Sequence, residues 1–382
     1  MDLRANWSYP TTVRFGAGRV AELGDAVKAA GMSNPLFVTD PVLARLPMTQ
    51  NAVGLVPAAK MFSDIKPNPV EANVIAGIAA FKTGKHDGVV AFGGGSALDV
   101  GKLIAFMAGQ TRPLWDFEDV GDWWTRANAT QIAPIVALPT TAGTGSEVGR
   151  AAVVTDTETH TKKIIFHPLM MPKVTICDPE LTVGMPPIIT AGTGMDAFAH
   201  CLEAYCGRFY HPMADGIAVE GIRLVKENLA TAVKDGSNIE ARAHMMAAAA
   251  MGATSFQKAL GGIHALSHPV GSLYDTHHGL TNGVFMPYVL VFNRKAIEEP
   301  IKRLAAYIGL RPNFRAFLDF VMKLREETGV PNTLAGLKVD DSKVDSIVAM
   351  APKDPTAGGN PVPLDKRAAR TIFMRALEGR SP

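Results

Sequence analysis

The segment VVAFGGGSALDVGK (89–102) decides the fold of the first half of the chain. It starts as an apolar run typical of a buried strand and passes through Gly93, Gly94 and Gly95 into a helix-forming stretch. Glycines at such a point let the backbone approach a ligand, and the amides at a helix N-terminus favour an anion. The segment departs from the dinucleotide fingerprint G-x-G-x-x-G, because Leu98 stands at the last position. It therefore predicts a strand–turn–helix unit that either binds phosphate or forms only a tight turn.

The same alternation of strand and helix extends over the rest of the first half. Further strands are predicted at 35–40, 133–141, 151–156 and 173–178. Stretches with helix-period apolar residues and a terminal glycine occur at 19–31 and 69–84. The polar segment 116–130 is interpreted as a loop. This alternation is typical of a mainly parallel sheet that is covered by helices on both faces.

The pattern changes after Pro186 and Pro187, where long Ala- and Met-rich helical stretches replace the strands. The stretch at 241–256 is apolar almost all round, which predicts a helix in the centre of a helical domain. A chain of 382 residues is also too long for one compact core. We therefore predict an α/β nucleotide-binding domain at 1–185 and an all-helical metal-binding and catalytic domain at 186–382.

Composition excludes several classes of partner. The formal net charge is +2, so electrostatics favours neither nucleic acid nor an anionic membrane. No apolar run approaches the length of about 18 residues that a membrane-spanning helix needs, and the N-terminus lacks the apolar core of a signal peptide. Three cysteines, an odd number, fit a reducing compartment. We expect a cytoplasmic protein without nucleic-acid or membrane partners.

A second loop, LPTTAGTGSEVG (138–149), again follows a predicted strand and is rich in small hydroxyl residues. Such residues either donate hydrogen bonds to phosphate and ribose oxygens or satisfy the backbone of their own loop. Two such loops at the carboxyl ends of strands in one sheet favour a nucleotide crevice. Asp40 ends the strand at 35–40, where a carboxylate would accept hydrogen bonds from ribose and repel a 2′-phosphate, which favours NAD over NADP. Its alternative role is a helix N-cap, because Pro41 follows it.

Two pairs of residues at helical spacing predict a divalent-metal site in the second half. Asp196 and His200 are four residues apart, and His264 and His268 repeat that spacing before His278. One carboxylate and several imidazoles suit a divalent transition metal. Cys201 adjoins His200 but would point about 100° away from it on a helix, so we interpret it as a packing residue.

The segments GGGSALDVGK, LPTTAGTGSEV, GMDAFAHCLEAY and GGIHALSHPVGSLYDTHHG together resemble the iron-dependent (group III) alcohol dehydrogenase family. The resemblance runs over nearly the whole chain, and the two histidine-containing segments are its most specific parts. It implies a dehydroquinate synthase-like architecture, with metal ligands at Asp196, His200, His264 and His278. His268 then matches the family's active-site histidine that is not a ligand, and His277 has no assigned role.

The resemblance also implies a set of cofactor contacts. The pyrophosphate would bind near Gly94, Gly95 and Ser96, with Asp99 close by, and Asp40 matches the acidic position associated with NAD preference. The path from the adenosine ribose to the nicotinamide would be lined by Thr140, Thr141, Thr144 and Ser146. Lys163 resembles the family lysine near the cofactor ribose, with Lys162 an equally placed neighbour.

Related enzymes leave alternatives open. Maleylacetate reductases resemble this cofactor region but do not use the metal, whereas glycerol dehydrogenases and dehydroquinate synthases share the architecture with three metal-ligand positions. The presence of all four candidate ligands favours the iron-type alcohol dehydrogenases. A synthase-type lyase would need several basic residues around an anionic substrate, and Lys258 is the basic residue nearest to the histidines in the sequence. A non-catalytic nucleotide- or metal-binding protein is the third alternative.

We therefore expect an NAD-dependent alcohol dehydrogenase or aldehyde reductase that acts on a small alcohol or hydroxy acid. The resemblance points to Fe²⁺, although the general affinity order places zinc above ferrous iron at such a site, so Zn²⁺ is an alternative. His268 is hypothesised to relay the hydroxyl proton. Phe256, Gln257 and Phe166 are candidate pocket residues, and relatives of this kind are often dimers or larger.

Overall fold

The structure is a computed structural model that describes residues 5–7, 11–159 and 161–380. It divides into two compact units, which are described separately. The first comprises Met1–Thr141 and Gly145–Val183, and the second comprises Ala142–Thr144 and Gly184–Pro382. Three residues of the second glycine-rich loop are thus grouped with the helical unit.

The described part of the first unit contains a sheet, a separate hairpin and four α-helices. Its strands are β1 (Ala5–Trp7), β2 (Thr12–Phe15), β3 (Leu36–Val38), β4 (Lys60–Phe62), β5 (Val89–Gly93), β6 (Ile135–Pro139), β7 (Ala151–Asp156), β8 (Thr161–Phe166) and β9 (Val174–Cys177). Its α-helices are α1 (Leu23–Ala29), α2 (Pro47–Gly54), α3 (Glu71–Thr83) and α4 (Gly95–Met107).

The main sheet has the strand order β1-β2-β9-β6-β5-β3-β4. Every neighbouring pair is parallel except β1 and β2. Alternate side chains of the central strands belong to two different hydrophobic clusters, one on each face of the sheet. Phe37 and Phe92 pack with α1 and α2, whereas Leu36 and Ala91 pack with α3 and α4. The prediction of a mainly parallel sheet with helices on both faces is confirmed. Helices on both faces explain why β5 and β6 are buried at every residue.

The predicted strand at 151–156 forms, but it lies outside the main sheet. It is β7, which pairs antiparallel with β8 from Ala151–Phe166 to Asp156–Thr161. Its residues alternate between buried and half-buried, which is typical of a strand that packs on one face only. The short strands β1, β2, β4 and β8 were not predicted. The segment 116–130 overlaps 3-10 turns at Leu114–Phe117, Trp123–Arg126 and Ala129–Gln131 and runs as a loop between them.

The second unit is helical throughout its described part, residues 184–380, with no strand. Its α-helices are α5 (Pro187–Cys206), α6 (Pro212–Lys234), α7 (Ile239–Ser255), α8 (Gly262–Tyr274), α9 (His278–Tyr307), α10 (Phe314–Glu327), α11 (Val344–Met350) and α12 (Lys366–Glu378). Helix α7 is buried along most of its length, as the all-apolar stretch predicted. Among the described residues, no helix has the length and apolarity needed to cross a membrane.

Candidate metal centre and cofactor-binding loops

Helix α5 carries the first part of the candidate metal centre. Asp196 and His200 are one turn apart, and Glu203 follows three residues later, so all three side chains lie on one face of the helix. All three are buried. Burying two carboxylates and an imidazole is costly unless each finds a partner, so this face marks a functional part of the helix.

Helices α8 and α9 supply the histidines that face α5. His264 lies in the first turn of α8 and His268 lies one turn later. His277 is the N-cap of α9, where its Nδ1 accepts a hydrogen bond from the backbone N–H of Leu280, and His278 is the first residue of that helix. His277, which had no assigned role, thus stabilises the turn that presents His278.

Four side chains converge on one point. Oδ1 of Asp196 lies 3.5 Å from Nε2 of His278, 3.6 Å from Nε2 of His264 and 3.7 Å from Nε2 of His200. The ligand atoms of Asp196, His200 and His264 all lie within 4.8 Å of one another. The side chain of His278 is the most exposed of the four, at 28%.

This donor set fits a divalent transition metal. Bonds of about 2.1 Å to a shared ion would place neighbouring ligand atoms about 3.0–3.4 Å apart, close to the separations from Asp196 Oδ1. One carboxylate oxygen and three imidazole nitrogens suit iron or zinc. Cys201 is not part of the set, because its Sγ lies 3.9 Å from the carbonyl oxygen of Ala248 and burial raises its pKa to about 12.

The electrostatics of the centre favours positive charge. Burial opposes ionisation of Asp196, but the surrounding imidazoles outweigh it and hold its pKa well below the usual value. Burial also works against a charged His264, yet hydrogen bonds with Asp196 and Glu203 raise its pKa to about 9. Burial lowers the pKa of His200 to about 4, so that imidazole is neutral and able to act as a ligand.

Two glycines allow α5 and α9 to approach closely enough for this convergence. A Cβ added at Gly279 would lie 2.0 Å from the carbonyl oxygen of Gly192 and 3.1 Å from Cβ of Asp196. Any larger residue at position 279 would therefore push the two helices apart. Asp196 and His278 would be separated by the same movement.

Sequence reasoning missed two buried partners of the centre. Glu203 contacts Nδ1 of His264 through Oε2 at 2.6 Å. Asn282 donates from Nδ2 to Oδ1 of Asp196 at 2.8 Å, and the same nitrogen lies 3.2 Å from Nε2 of His278. Both were visible as helical spacings, because Glu203 follows His200 by three residues and Asn282 follows His278 by four.

His268 lies beside the centre with a carboxylate partner of its own. Its Nδ1 is 2.8 Å from Oδ2 of Asp354, and its ring stacks on that of His278 at 5.3 Å between centroids. Burial opposes the charge of Asp354, but His268 and hydrogen bonds from Thr356 hold its pKa at about 2. The ionised Asp354 therefore favours a hydrogen on Nδ1 of His268, which leaves Nε2 able to accept a proton.

Phe256 is the candidate pocket residue that lies at the metal centre. Its ring centroid is 5.1 Å from that of His200, and Gln257 follows it in the chain. Phe166 belongs to the first unit, where it contacts the ring of Trp124 at 6.4 Å between centroids.

The first glycine-rich loop turns from β5 into α4, whose N-cap is Gly94. Its helix begins at Gly95, and the hydroxyl of Ser96 donates to the carbonyl oxygen of Pro67. A Cβ added at Gly94 would lie 3.2 Å from Cγ2 of Thr141, so the two predicted loops meet within the first unit. Their meeting at the carboxyl ends of β5 and β6 is the arrangement expected of a nucleotide-binding crevice.

Asp99, Ser146 and Lys102 bind one another beneath these loops. Asp99 accepts hydrogen bonds from Oγ of Ser146 at 2.5 Å and from the backbone N–H of Val153 at 2.9 Å. The buried Lys102 donates to the carbonyl oxygens of Ser146 and Ala151 and lies 3.5 Å from Asp99. Asp99 and Ser146 therefore stabilise the second loop, whatever further contact they make with a cofactor.

Two further predicted cofactor residues, Asp40 and Lys163, also have partners in the protein. Oδ1 of Asp40 accepts hydrogen bonds from the backbone N–H groups of Val42 and Leu43, both at 2.9 Å, so its carboxylate stabilises the turn after β3. The N-cap of the 3-10 turn that follows is Val42, two residues beyond the predicted position. Nζ of Lys163 lies 2.9 Å from Asp156 and 3.6 Å from Glu118. Thr140 and Thr141 belong to the first unit and Thr144 to the second.

Comparison with known proteins assigns the family. The chain matches the model of the iron-containing alcohol dehydrogenases over residues 10–179 and that of the C-terminal part of the Fe-containing alcohol dehydrogenase family over residues 190–377. It is 35% identical to a 4-hydroxybutyrate dehydrogenase of Cupriavidus necator, covering 97% of this chain and 98% of that one.

Two solved structures share the fold over almost the whole chain. One is a 1,3-propanediol oxidoreductase, with a TM-score of 0.91, 33% identity and coverage of 99% of this chain and 100% of the other. The other is a sulfoacetaldehyde reductase of Bifidobacterium kashiwanohense in complex with NAD⁺, with a TM-score of 0.87, 30% identity and coverage of 98% of both chains. The chain belongs to the iron-containing alcohol dehydrogenase family and is an oxidoreductase of that family.

Proposed function

We propose that this chain is an NAD-dependent, Fe²⁺-activated dehydrogenase of a small alcohol or hydroxy acid, which also reduces the corresponding aldehyde. The observation that carries the proposal is the convergence of three imidazole nitrogens, 3.5–3.7 Å away, on the single carboxylate oxygen of Asp196. Asp196, His200, His264 and His278 would bind the ion. A divalent ion at such a site acts as a Lewis acid, which lowers the pKa of an alcohol hydroxyl and favours loss of its proton.

The protein's own residues would manage the proton and the cofactor. Nε2 of His268 would accept the hydroxyl proton, because Asp354 keeps the other ring nitrogen protonated, and would pass it towards solvent. The amides at the start of α4, at Gly95 and Ser96, would bind the pyrophosphate of NAD, since N–H groups in the first turn of a helix have no partner within that helix. Thr140, Thr141, Thr144 and Ser146 would contact the rest of the cofactor, with Lys163 and the second carboxylate oxygen of Asp40 near its riboses.

The relatives suggest which substrates to test first. Their names include a 4-hydroxybutyrate dehydrogenase and 1,3-propanediol dehydrogenases. Both substrates are short chains with a primary hydroxyl at one end and a second polar group at the other. We propose the same substrate class here, a small primary alcohol with a polar group at its far end.

The test uses metal-free protein that is reloaded anaerobically with Fe²⁺ or Zn²⁺. NADH formation is measured with 1,3-propanediol, 4-hydroxybutyrate and simple primary alcohols. We expect Fe²⁺ to restore turnover and the bifunctional substrates to give the higher kcat/KM. His264→Ala should abolish metal binding, whereas His244→Ala, which removes a histidine of α7 paired with Glu240, should not. Binding of NAD without turnover under either metal would contradict the proposal and favour a maleylacetate reductase-like or synthase-type reaction.

A further inference from the structure

Glu203 is a buried carboxylate whose two oxygens serve one histidine and the helix that carries it. Oε2 lies 2.6 Å from Nδ1 of His264, and Oε1 accepts the backbone N–H of Ile263 at 2.6 Å. The side chain of Glu203 is 5% exposed and that of His264 is 1% exposed. A carboxylate buried this deeply needs both partners, because without them the loss of its hydration would be uncompensated.

The contact fixes which nitrogen of His264 faces the candidate metal centre. A carboxylate accepts hydrogen bonds only, so Nδ1 of His264 must carry the shared hydrogen. Nε2 is then the nitrogen that would bind an ion after losing its own hydrogen, and it lies 3.6 Å from Oδ1 of Asp196. Glu203 thus selects the ring orientation and the tautomer that a metal ligand requires.

A second side chain stabilises the same helix start. Oδ1 of Asn360 accepts the backbone N–H of Gly262 at 3.0 Å and Nδ2 of Asn293 at 2.8 Å. Nδ2 of Asn360 donates to Oδ1 of Asn293 at 2.8 Å. Two backbone N–H groups in the first turn of α8, which have no partner within the helix, therefore donate to side chains. That of Ile263 donates to Glu203 of α5, and that of Gly262 donates to Asn360 of the C-terminal segment. The first turn of α8, with His264, is held from two sides.

We propose that Glu203 is a positioning residue which sets the affinity of the centre for its divalent ion through its negative charge and its contact with His264. This inference rests on the proposed metal centre. Glu203 would act on that centre without being one of its ligands. A carboxylate behind a metal-bound imidazole also increases the basicity of the ligand.

The substitution Glu203→Gln separates charge from shape. A Gln side chain fills the same volume but offers one acceptor and one donor in place of two acceptors. The amide N–H of Ile263 can only donate, whereas a neutral imidazole can change tautomer. The Gln oxygen would therefore pair with Ile263, and its NH₂ group would donate to Nδ1 of His264. The hydrogen of His264 would then move to Nε2, which blocks the ligand atom.

The experiment measures metal affinity directly, by competition of Zn²⁺ and Co²⁺ between the full-length protein and a chromophoric chelator. Glu203→Gln should bind both ions about 10–100-fold more weakly than the unsubstituted protein. The visible absorption spectrum of the Co²⁺ form should also change. The matched control is Glu227→Gln on α6, an exposed carboxylate paired with Arg223, which should leave affinity and spectrum unchanged.

A second variant and a stability measurement separate positioning from folding. Glu203→Asp keeps the charge but is one methylene shorter, so it should recover part of the lost affinity. If Glu203 only caps α8, Glu203→Gln would lower the melting temperature of the metal-free protein and leave both ion affinities unchanged, which would overturn the inference. Failure of the unsubstituted protein to bind either ion would instead refute the metal centre itself.

Discussion

Glu147 lies in the second glycine-rich loop and makes the stability of the first unit depend on pH. Its side chain is buried, with the residue 2% exposed. Burial raises its pKa to about 7, against the opposing effects of its own backbone N–H and of Lys102. We predict that Glu147→Gln stabilises the first unit at alkaline pH and has little effect in acid.

The sign and size follow from proton linkage. The pKa of this carboxyl is about 4.5 in the unfolded chain and about 7 in the folded one, so the folded state binds the additional proton between these values. The stability of the unsubstituted protein therefore falls as pH rises from about 4.5 to about 7. At about 1.4 kcal/mol per pH unit, the loss approaches about 3 kcal/mol. Because Gln does not titrate, the advantage of the variant should grow from below about 1 kcal/mol near pH 5 to about 3 kcal/mol at pH 8.

Tryptophan fluorescence is a suitable assay, because the four tryptophans of the chain (Trp7, Trp115, Trp123 and Trp124) all lie in the first unit. Urea unfolding of both proteins would be followed at several pH values between 5 and 8. The control is Glu180→Gln, an exposed carboxylate of the same unit, which lacks the burial on which the prediction for Glu147 depends.

The quantity to test is how the difference in unfolding free energy between the two proteins changes with pH. Its absolute value is not decisive, since exchanging a carboxyl for an amide can add a constant offset at every pH. A difference that stays constant between pH 5 and pH 8 would mean that Glu147 titrates alike in the folded and unfolded chains. Burial would then leave the pKa of this carboxyl unchanged, contrary to the prediction, whatever the sign of the offset.

Three further substitutions test the second unit. His268→Ala should lower kcat about 10²–10⁴-fold with metal content intact, measured by turnover and metal analysis, because a general base is lost and no ligand is; loss of metal would make His268 a ligand. Asp354→Asn should lower kcat while KM changes little, since the amide no longer fixes the hydrogen on Nδ1 of His268; unchanged kinetics would contradict this. Gly279→Ala should cost about 1–3 kcal/mol of unfolding free energy and weaken Zn²⁺ binding, because its Cβ would lie 2.0 Å from the carbonyl oxygen of Gly192; full affinity would show that the helices need not approach so closely.

The sequence predicted those parts of the fold that a local pattern encodes. The runs that became β5 and β6 are apolar at every position, because both faces of those strands are covered. Strand β4 (Lys60–Phe62) has no such run and is defined by its pairing with β3, a contact between distant segments. For β7 the local pattern predicted a strand, but it did not predict that β7 pairs with the next segment, β8, instead of joining the main sheet.

The same distinction applies to the candidate site. Asp196 with His200 and His264 with His268 were found because a spacing of four places two side chains on one face of one helix. The residues that orient them lie far away in the sequence: Asp354 is 86 residues from His268, and Asn360 is 98 residues from Gly262. No spacing rule connects such pairs, because the fold alone brings them together.

Ser146 and Asp99 show why a residue type can indicate a site without fixing its role. A serine in a glycine-rich loop and an aspartate in the following helix both suit a nucleotide, but here the hydroxyl donates to the carboxylate at 2.5 Å. Chemistry that suits a ligand equally suits the neighbour that holds the loop in place. The sequence therefore indicates where a cofactor would bind. Which residues contact it and which ones shape the loop depends on the hydrogen bonds that are already made within the protein.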